Sequence, residues 1–168
     1  MSLLQISLLA ACAGHVLCRY CDCQITYTPN GRFDFGMLKD NAKMAALFQN
    51  TPRERSLRSI LLGVAAMIAE FFGYLALADW MRAYSPVCAL LLLLSAGAAF
   101  ISGVVHHVFC GTVEWFYLRF GCTEEARQAI LEFFKKTIVT MYICFVGLMV
   151  FSLTLFAAIA LGWTALPR

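Results

Sequence analysis

The stretch Ala83–Val113, AYSPVCALLLLLSAGAAFISGVVHHVFCGTV, contains no Asp, Glu, Lys or Arg. A bilayer core about 30 Å thick is crossed by roughly 20 apolar helical residues, and this run exceeds that requirement. Two further runs read the same way: Ser59–Ala78, whose one charge is Glu70, and Thr137–Pro167, which has none. The opening run, Ser2–Cys18, is shorter but also free of charge and predicts a fourth span. The expected fold class is all-α, a polytopic transmembrane helical bundle forming one membrane domain over 1–168. Its spans are expected at about 2–18, 59–79, 84–109 and 137–163, with short interfacial helices between them.

Composition agrees with the long run. The chain has 168 residues, of which 61% are hydrophobic and 14% charged, and its mean hydropathy is +0.75. Soluble domains carry about 25% charged and about 45–50% apolar residues, and a core of this size could not bury the excess. A soluble enzyme and a disordered chain are excluded on that ground. The formal charge of +3 is too small and scattered for a nucleic-acid-binding face, so no nucleic acid is expected as a partner.

A secretory leader would need a basic start, yet no Lys or Arg precedes Arg19. Leu9-Ala10-Ala11-Cys12 looks like a lipoprotein cleavage box, but the stretch before it is short and uncharged, and a retained helix is the better reading. Lys and Arg fix the expected orientation. Arg19, Arg32, Lys39, Lys43, Arg53, Arg55 and Arg58 lie between the first two spans, and Arg119, Arg127, Lys135 and Lys136 between the last two. Only Arg82 and Arg168 lie on the other side. Both termini are therefore expected outside and both large loops in the cytoplasm of an inner-membrane protein.

The loops have their own patterns. Met44, Leu47 and Phe48 recur at helical spacing within Asn41–Asn50 and suit a short helix at the lipid headgroups. Thr123-Glu124-Glu125 at one end of a segment and Lys135-Lys136 at the other follow the order favoured by a helix dipole, and that helix is expected to lead into the last span. Pro29-Asn30-Gly31 signals a turn. Asp34-Phe35-Gly36 matches a kinase magnesium triplet without kinase context and reads as coincidence.

Ionisable groups inside a span are costly and default to functional hypotheses. Glu70 lies about 16 Å along its helix from Ser59, near the midplane. It shares a face with Gly63, Ala66, Gly73, Tyr74 and Leu77, three of them small enough to admit a neighbouring helix closely. The plainer alternative is a protonated Glu hydrogen-bonded between helices. Ser95, Ala99, Gly103 and His107 recur every fourth residue and predict a packing ridge that aims His107 inward, with His106, Cys110, Gly111 and Glu114 nearby. The plainer alternative there is a His-His pair anchoring the helix end.

The first span closes with His15-x-x-Cys18-x-x-Cys21-x-Cys23, on the same side as His107 in this topology. His15, Cys18, Cys21, His107 and Cys110 are thus candidate ligands for zinc or another thiophilic metal. Against this, Cys is an ordinary small residue in membrane helices, and the repeated pairs of a zinc module are missing. The Cys18-x-x-Cys21 spacing also looks like that of membrane disulfide-forming enzymes, but it falls on the reducing face, where exchange with a partner is not expected.

Several short motifs resemble a known family. They are Gly14-His15, Arg58-x-x-Leu61-Leu62-Gly63, Gly73-Tyr74-Leu75, His106-His107-x-Phe109 and Gly162-Trp163-Thr164-Ala165-Leu166-Pro167-Arg168. Their order is similar to that of a family of uncharacterised bacterial multi-pass membrane proteins, a domain of unknown function. The resemblance implies a multi-pass helical fold and no assigned reaction. Members usually carry an acidic residue at the position of His15 and continue past Arg168, which implies a shortened member or a fragment.

The leading expectation is non-enzymatic: an apolar small molecule or lipid bound between helices. Glu70, His15 and His107 would be its polar contacts and Tyr74 and Trp80 its aromatic walls. The lipid bilayer is the expected environment, with a homo-oligomer or a larger membrane complex as partner. One alternative is a membrane-embedded enzyme using His and Glu on a lipid-like substrate, with or without a metal. The other is a proton-coupled transporter.

Overall fold

A computed structural model of the chain describes residues 1–166. Pro167 and Arg168, which close the last quoted motif, lie outside the described residues. Six α-helices account for most of the chain: α1 (Leu3–Thr26), α2 (Asn41–Phe48), α3 (Glu54–Met81), α4 (Pro86–Arg119), α5 (Glu124–Thr137) and α6 (Val139–Ala160). Helices α1, α3, α4 and α6 are each long and apolar enough to cross a membrane. The all-α class and the four long apolar helices expected from sequence are present, joined by one two-residue hairpin and a 3-10 helix (Phe35–Lys39).

The helix ends follow from local chemistry. Ser2 and Gln5 form a reciprocal capping box at the start of α1. Ser85 caps α4, with Pro86 in the first helical turn, where its missing N–H costs nothing. Thr123 caps α5, whose first turn holds Glu124 and Glu125 and whose last holds Lys135 and Lys136. Ile138, itself helical, joins α5 to α6 with almost no break. Asp34, the first residue of the kinase-like triplet, has a structural use: its carboxylate accepts from the Gly36 N–H at 2.7 Å and starts the 3-10 helix.

Helix α1 does not stop at Cys18, where its uncharged run ends. It continues to Thr26, and its C-terminal carbonyls are satisfied from α3: the Arg55 guanidinium donates to Gln24 O at 2.9 Å and to Tyr27 O. That extra length places Asp22 on the helix.

The long helices pack in chain order: α1 on α3, α3 on α4, α4 on α6. Helices α1 and α6 share no packed interface, so the arrangement is an open row rather than a closed ring. Small residues set each seam. A Cβ on Gly14 of α1 would lie 2.7 Å from Ala66 O and 2.9 Å from Glu70 N of α3. A Cβ on Gly63 would strike the His107 ring, and one on Gly147 of α6 would lie 2.7 Å from Ala99 N of α4.

Two apolar clusters close the ends. Ala78, Met81, Leu92, Phe151 and Ala158 pack where α3, α4 and α6 converge. Leu38, Met44, Leu47, Phe48, Val113, Tyr117 and Ile130 pack where α2 and α5 fold against the end of α4. Asn41 ties this second cluster to α4, accepting from the Tyr117 hydroxyl at 2.8 Å and donating to Cys122 O at 3.1 Å. The Pro29-Asn30-Gly31 turn closes the hairpin, and Asn30 donates to Leu47 O and Gln49 O, fastening it to the end of α2.

Candidate functional site

His15, Cys18 and Asp22 are spaced three and four residues apart, which places them on one face of α1. That face meets α3 and α4 at two histidine–carboxylate pairs. In the first, His15 Nδ1 lies 3.3 Å from Glu70 Oε2. Glu70 is only 5% exposed, whereas the His15 side chain is 53% exposed. The second carboxylate oxygen, Glu70 Oε1, is buried without a hydrogen-bond partner. Gly14 makes this approach geometrically available, because a side chain there would collide with the α3 backbone at Ala66 and Glu70.

The second pair joins His107 of α4 to Asp22 of α1, Nδ1 to Oδ1, at 3.6 Å. His107 Nε2 lies 3.0 Å from Ser59 O. A carbonyl can only accept, so Nε2 carries a hydrogen and donates. The other ring nitrogen, Nδ1, faces the Asp22 carboxylate at ion-pair distance. Ser59 is held in turn, its hydroxyl donating to Cys21 O at 2.8 Å. One turn further, the Ser56 hydroxyl donates to Glu114 Oε1 at 2.9 Å, satisfying a buried carboxyl.

His106 and His107 do not pair with each other. His106 turns to α6, its Nδ1 lying 3.1 Å from Thr140 Oγ1. The Thr140 hydroxyl hydrogen is committed to Thr137 O at 2.8 Å, so His106 Nδ1–H is the donor. Its Nε2 is left to accept from the Cys110 thiol, 3.5 Å away.

The aromatic residues separate. Tyr74 packs edge-on to His15 with ring centroids 6.1 Å apart, and also against Phe100 at 4.6 Å and Phe151 at 4.7 Å. It therefore touches side chains of α1, α4 and α6. Trp80 instead packs on Tyr84 at 5.0 Å, at the far end of α3. Of the five residues expected to line one site, the structure brings together Glu70, His15 and Tyr74. His107 belongs to the neighbouring pair, and Trp80 to neither. Two open clefts, of about 510 and 380 Å³, lie elsewhere: one between the end of α2 and the α4–α5 turn, the other between α3 and the start of α4. None of these five residues lines either cleft.

The five candidate metal ligands are likewise dispersed. Cys18 stands beside Glu70, Cys21 is fully buried against α3, and Cys110 faces His106. Among the described residues no group of three or more His, Cys, Asp or Glu side chains is arranged to hold a metal ion. All eight cysteines are free thiols.

Asp22, Ser56 and Ser59 complete the site and carry no motif that marks them in the sequence. A signal for Asp22 existed: it follows His15 by seven residues and Cys18 by four, the spacing of a single helical face. It becomes visible only if α1 is read past the end of its uncharged run.

No curated protein and no solved structure matches this chain. A family model does match, over residues 2–168, and the chain accordingly belongs to a family of unknown function, DUF6796.

Proposed function

We propose that this protein is a multi-pass protein of a cell inner membrane that binds an amphiphile on the open face between α1 and α6. Its orientation follows the basic loops, with both termini outside. Exposed apolar side chains such as Leu94, Ile101, Phe145 and Phe156 suit helices solvated by lipid. Because α1 and α6 share no packed interface, α3 and α4 form the floor between them, with Tyr74 partly buried in it and Glu70 and Phe100 buried.

The observation that carries the reading is the orphan oxygen of Glu70 next to a half-exposed histidine. An unmet acceptor in an apolar setting costs about 1–3 kcal/mol, and a ligand head group arriving past His15 would relieve it. Binding is favoured over catalysis because the two histidine–carboxylate pairs are too far apart to act as one reaction centre. Seven residues of α1 separate His15 from Asp22, about 10 Å along the axis, whereas acid–base groups must come within about 3 Å of the reacting proton.

The test is to purify the protein in phosphatidylcholine nanodiscs and identify co-purifying amphiphiles by mass spectrometry. A species enriched over the surrounding lipid in the wild type and depleted about tenfold in Glu70→Gln is the expected result. Equal recovery from both proteins would refute the reading.

A further inference from the structure

Between Glu70 and Glu114 the sequence holds one acidic residue, Asp79, and one basic residue, Arg82. Three residues apart at the end of α3, they share one helix face. Arg82 Nη2 lies 3.4 Å from Asp79 Oδ1, and the side chains are 70% and 75% exposed. Both line the cleft of about 380 Å³ between α3 and the start of α4, whose other lining residues are all apolar. Ala78 of α3 and Ala89 of α4 are buried where the helices meet and also line the cleft, so two methyl groups rather than longer side chains fill the seam there. Leu75 and Leu93 line its far end, each seven residues from the turn between the helices, about 10 Å along the axis. Trp80 and Tyr84, with ring centroids 5.0 Å apart, suit the turn end to the level of lipid head groups.

We propose that this cleft seats a phospholipid whose head carries both a phosphate and a primary ammonium, as in phosphatidylethanolamine. The phosphate pairs with Arg82, the ammonium with Asp79, and one acyl chain follows the apolar wall toward Leu75 and Leu93. An exposed ion pair of this spacing gains little from its own attraction, so exchanging it for a head group of matching charges costs little. A purely anionic head would gain Arg82 but oppose Asp79. A choline head has the right charges, but its quaternary nitrogen has no N–H to donate, and a carboxylate can only accept. This seat is separate from Glu70 and shares with it only the bilayer.

The experiment places the full chain in phosphatidylcholine nanodiscs with trace phosphatidylethanolamine, phosphatidylcholine or phosphatidylglycerol, each bearing the same photoactivatable acyl tail. After illumination, labelling of the 75–93 segment is measured by peptide mass spectrometry relative to labelling of α6. The ethanolamine lipid is expected to label the cleft about threefold more than the choline lipid, the range of exposed ion pairs. Asp79→Asn is expected to erase that preference, and Arg82→Gln to lower labelling by all three lipids. Both residues are exposed, so neither variant threatens the fold. Equal labelling by the three lipids, strongest labelling by the glycerol lipid, or a preference that survives Asp79→Asn would overturn the proposal. Glu70→Gln is expected to leave the preference unchanged, so the two sites fail separately.

Discussion

Two helix seams of this molecule use the same device for different ends. At α1–α3, Gly14 and Gly73 let backbones approach until a Cβ on Gly14 would lie 2.7 Å from Ala66 O. At α4–α6, a Cβ on Gly147 would lie 2.8 Å from Ser95 O and 2.7 Å from Ala99 N. The α4–α6 seam has no ionisable pair next to its glycine. Its serines turn back on their own helix, Ser95 donating to Leu91 O at 2.7 Å and Ser102 to Ala98 O. The α1–α3 seam has the same closeness and adds His15 against Glu70. Close packing is therefore a property of the small residues, whereas polarity is added independently by the side chains flanking them. A site arises only where the two coincide.

Overpacking is the strongest way to break this comparison. Gly14→Val and Gly147→Val both drive a side chain into backbone atoms and should each cost about 1–3 kcal/mol, read as a lower midpoint of unfolding in detergent. The seams should then part company: Gly14→Val also abolishes amphiphile retention, and Gly147→Val leaves it intact in the folded fraction. Gly97, where an added Cβ would meet nothing within 4 Å, should accept Ala without measurable loss.

Removing a partner from a buried carboxyl comes next. Ser56→Ala leaves Glu114 without its hydroxyl donor and should cost about 1–2 kcal/mol, checked by thermal unfolding. Ser59→Ala removes a bond to a carbonyl rather than to an acid, and about 0.6 kcal/mol is expected, the average for hydrogen bonds between membrane helices.

The smallest effect belongs to the exposed end of α5 and appears as pH dependence. Hydrogen bonds from Arg127 and Gln128 hold the Glu124 carboxyl down at about 2, below its ordinary 4.5. Arg127 also donates to Leu38 O at 2.6 Å, fastening α5 to the 3-10 helix. A carboxyl with a depressed folded-state value stabilises above its ordinary value, and that contribution is lost as pH falls toward 2. Pepsin cleavage within α5 should therefore increase over that window, and less steeply in Glu124→Gln, which begins without the ion pair.

Much of the scaffold was legible in the sequence. Uncharged runs located four long helices, Thr123 and the flanking charges located α5, and the small-residue ridge of α4 anticipated close packing. The ridge, however, serves two neighbours: Ser95 and Ala99 face Gly147 of α6, while His107 faces Gly63 of α3. The site was legible in part. Glu70 and His15 stood out because ionisable groups are rare in apolar runs. Asp22 did not, since a charge beyond the apolar run looks like the end of the helix. What holds α1 together past that point is Arg55, thirty-one residues from Gln24 and invisible to any local pattern.

By itself the sequence determined the elements: long uncharged runs favour helices that meet every backbone hydrogen bond internally, and that is a local property of composition and length. Tertiary structure decided which helices touch, which of two adjacent histidines meets a carboxylate, and which oxygen of Glu70 is left without a partner. Those outcomes depend on where glycines let two backbones approach, a relation between distant residues that no periodicity along a single helix encodes.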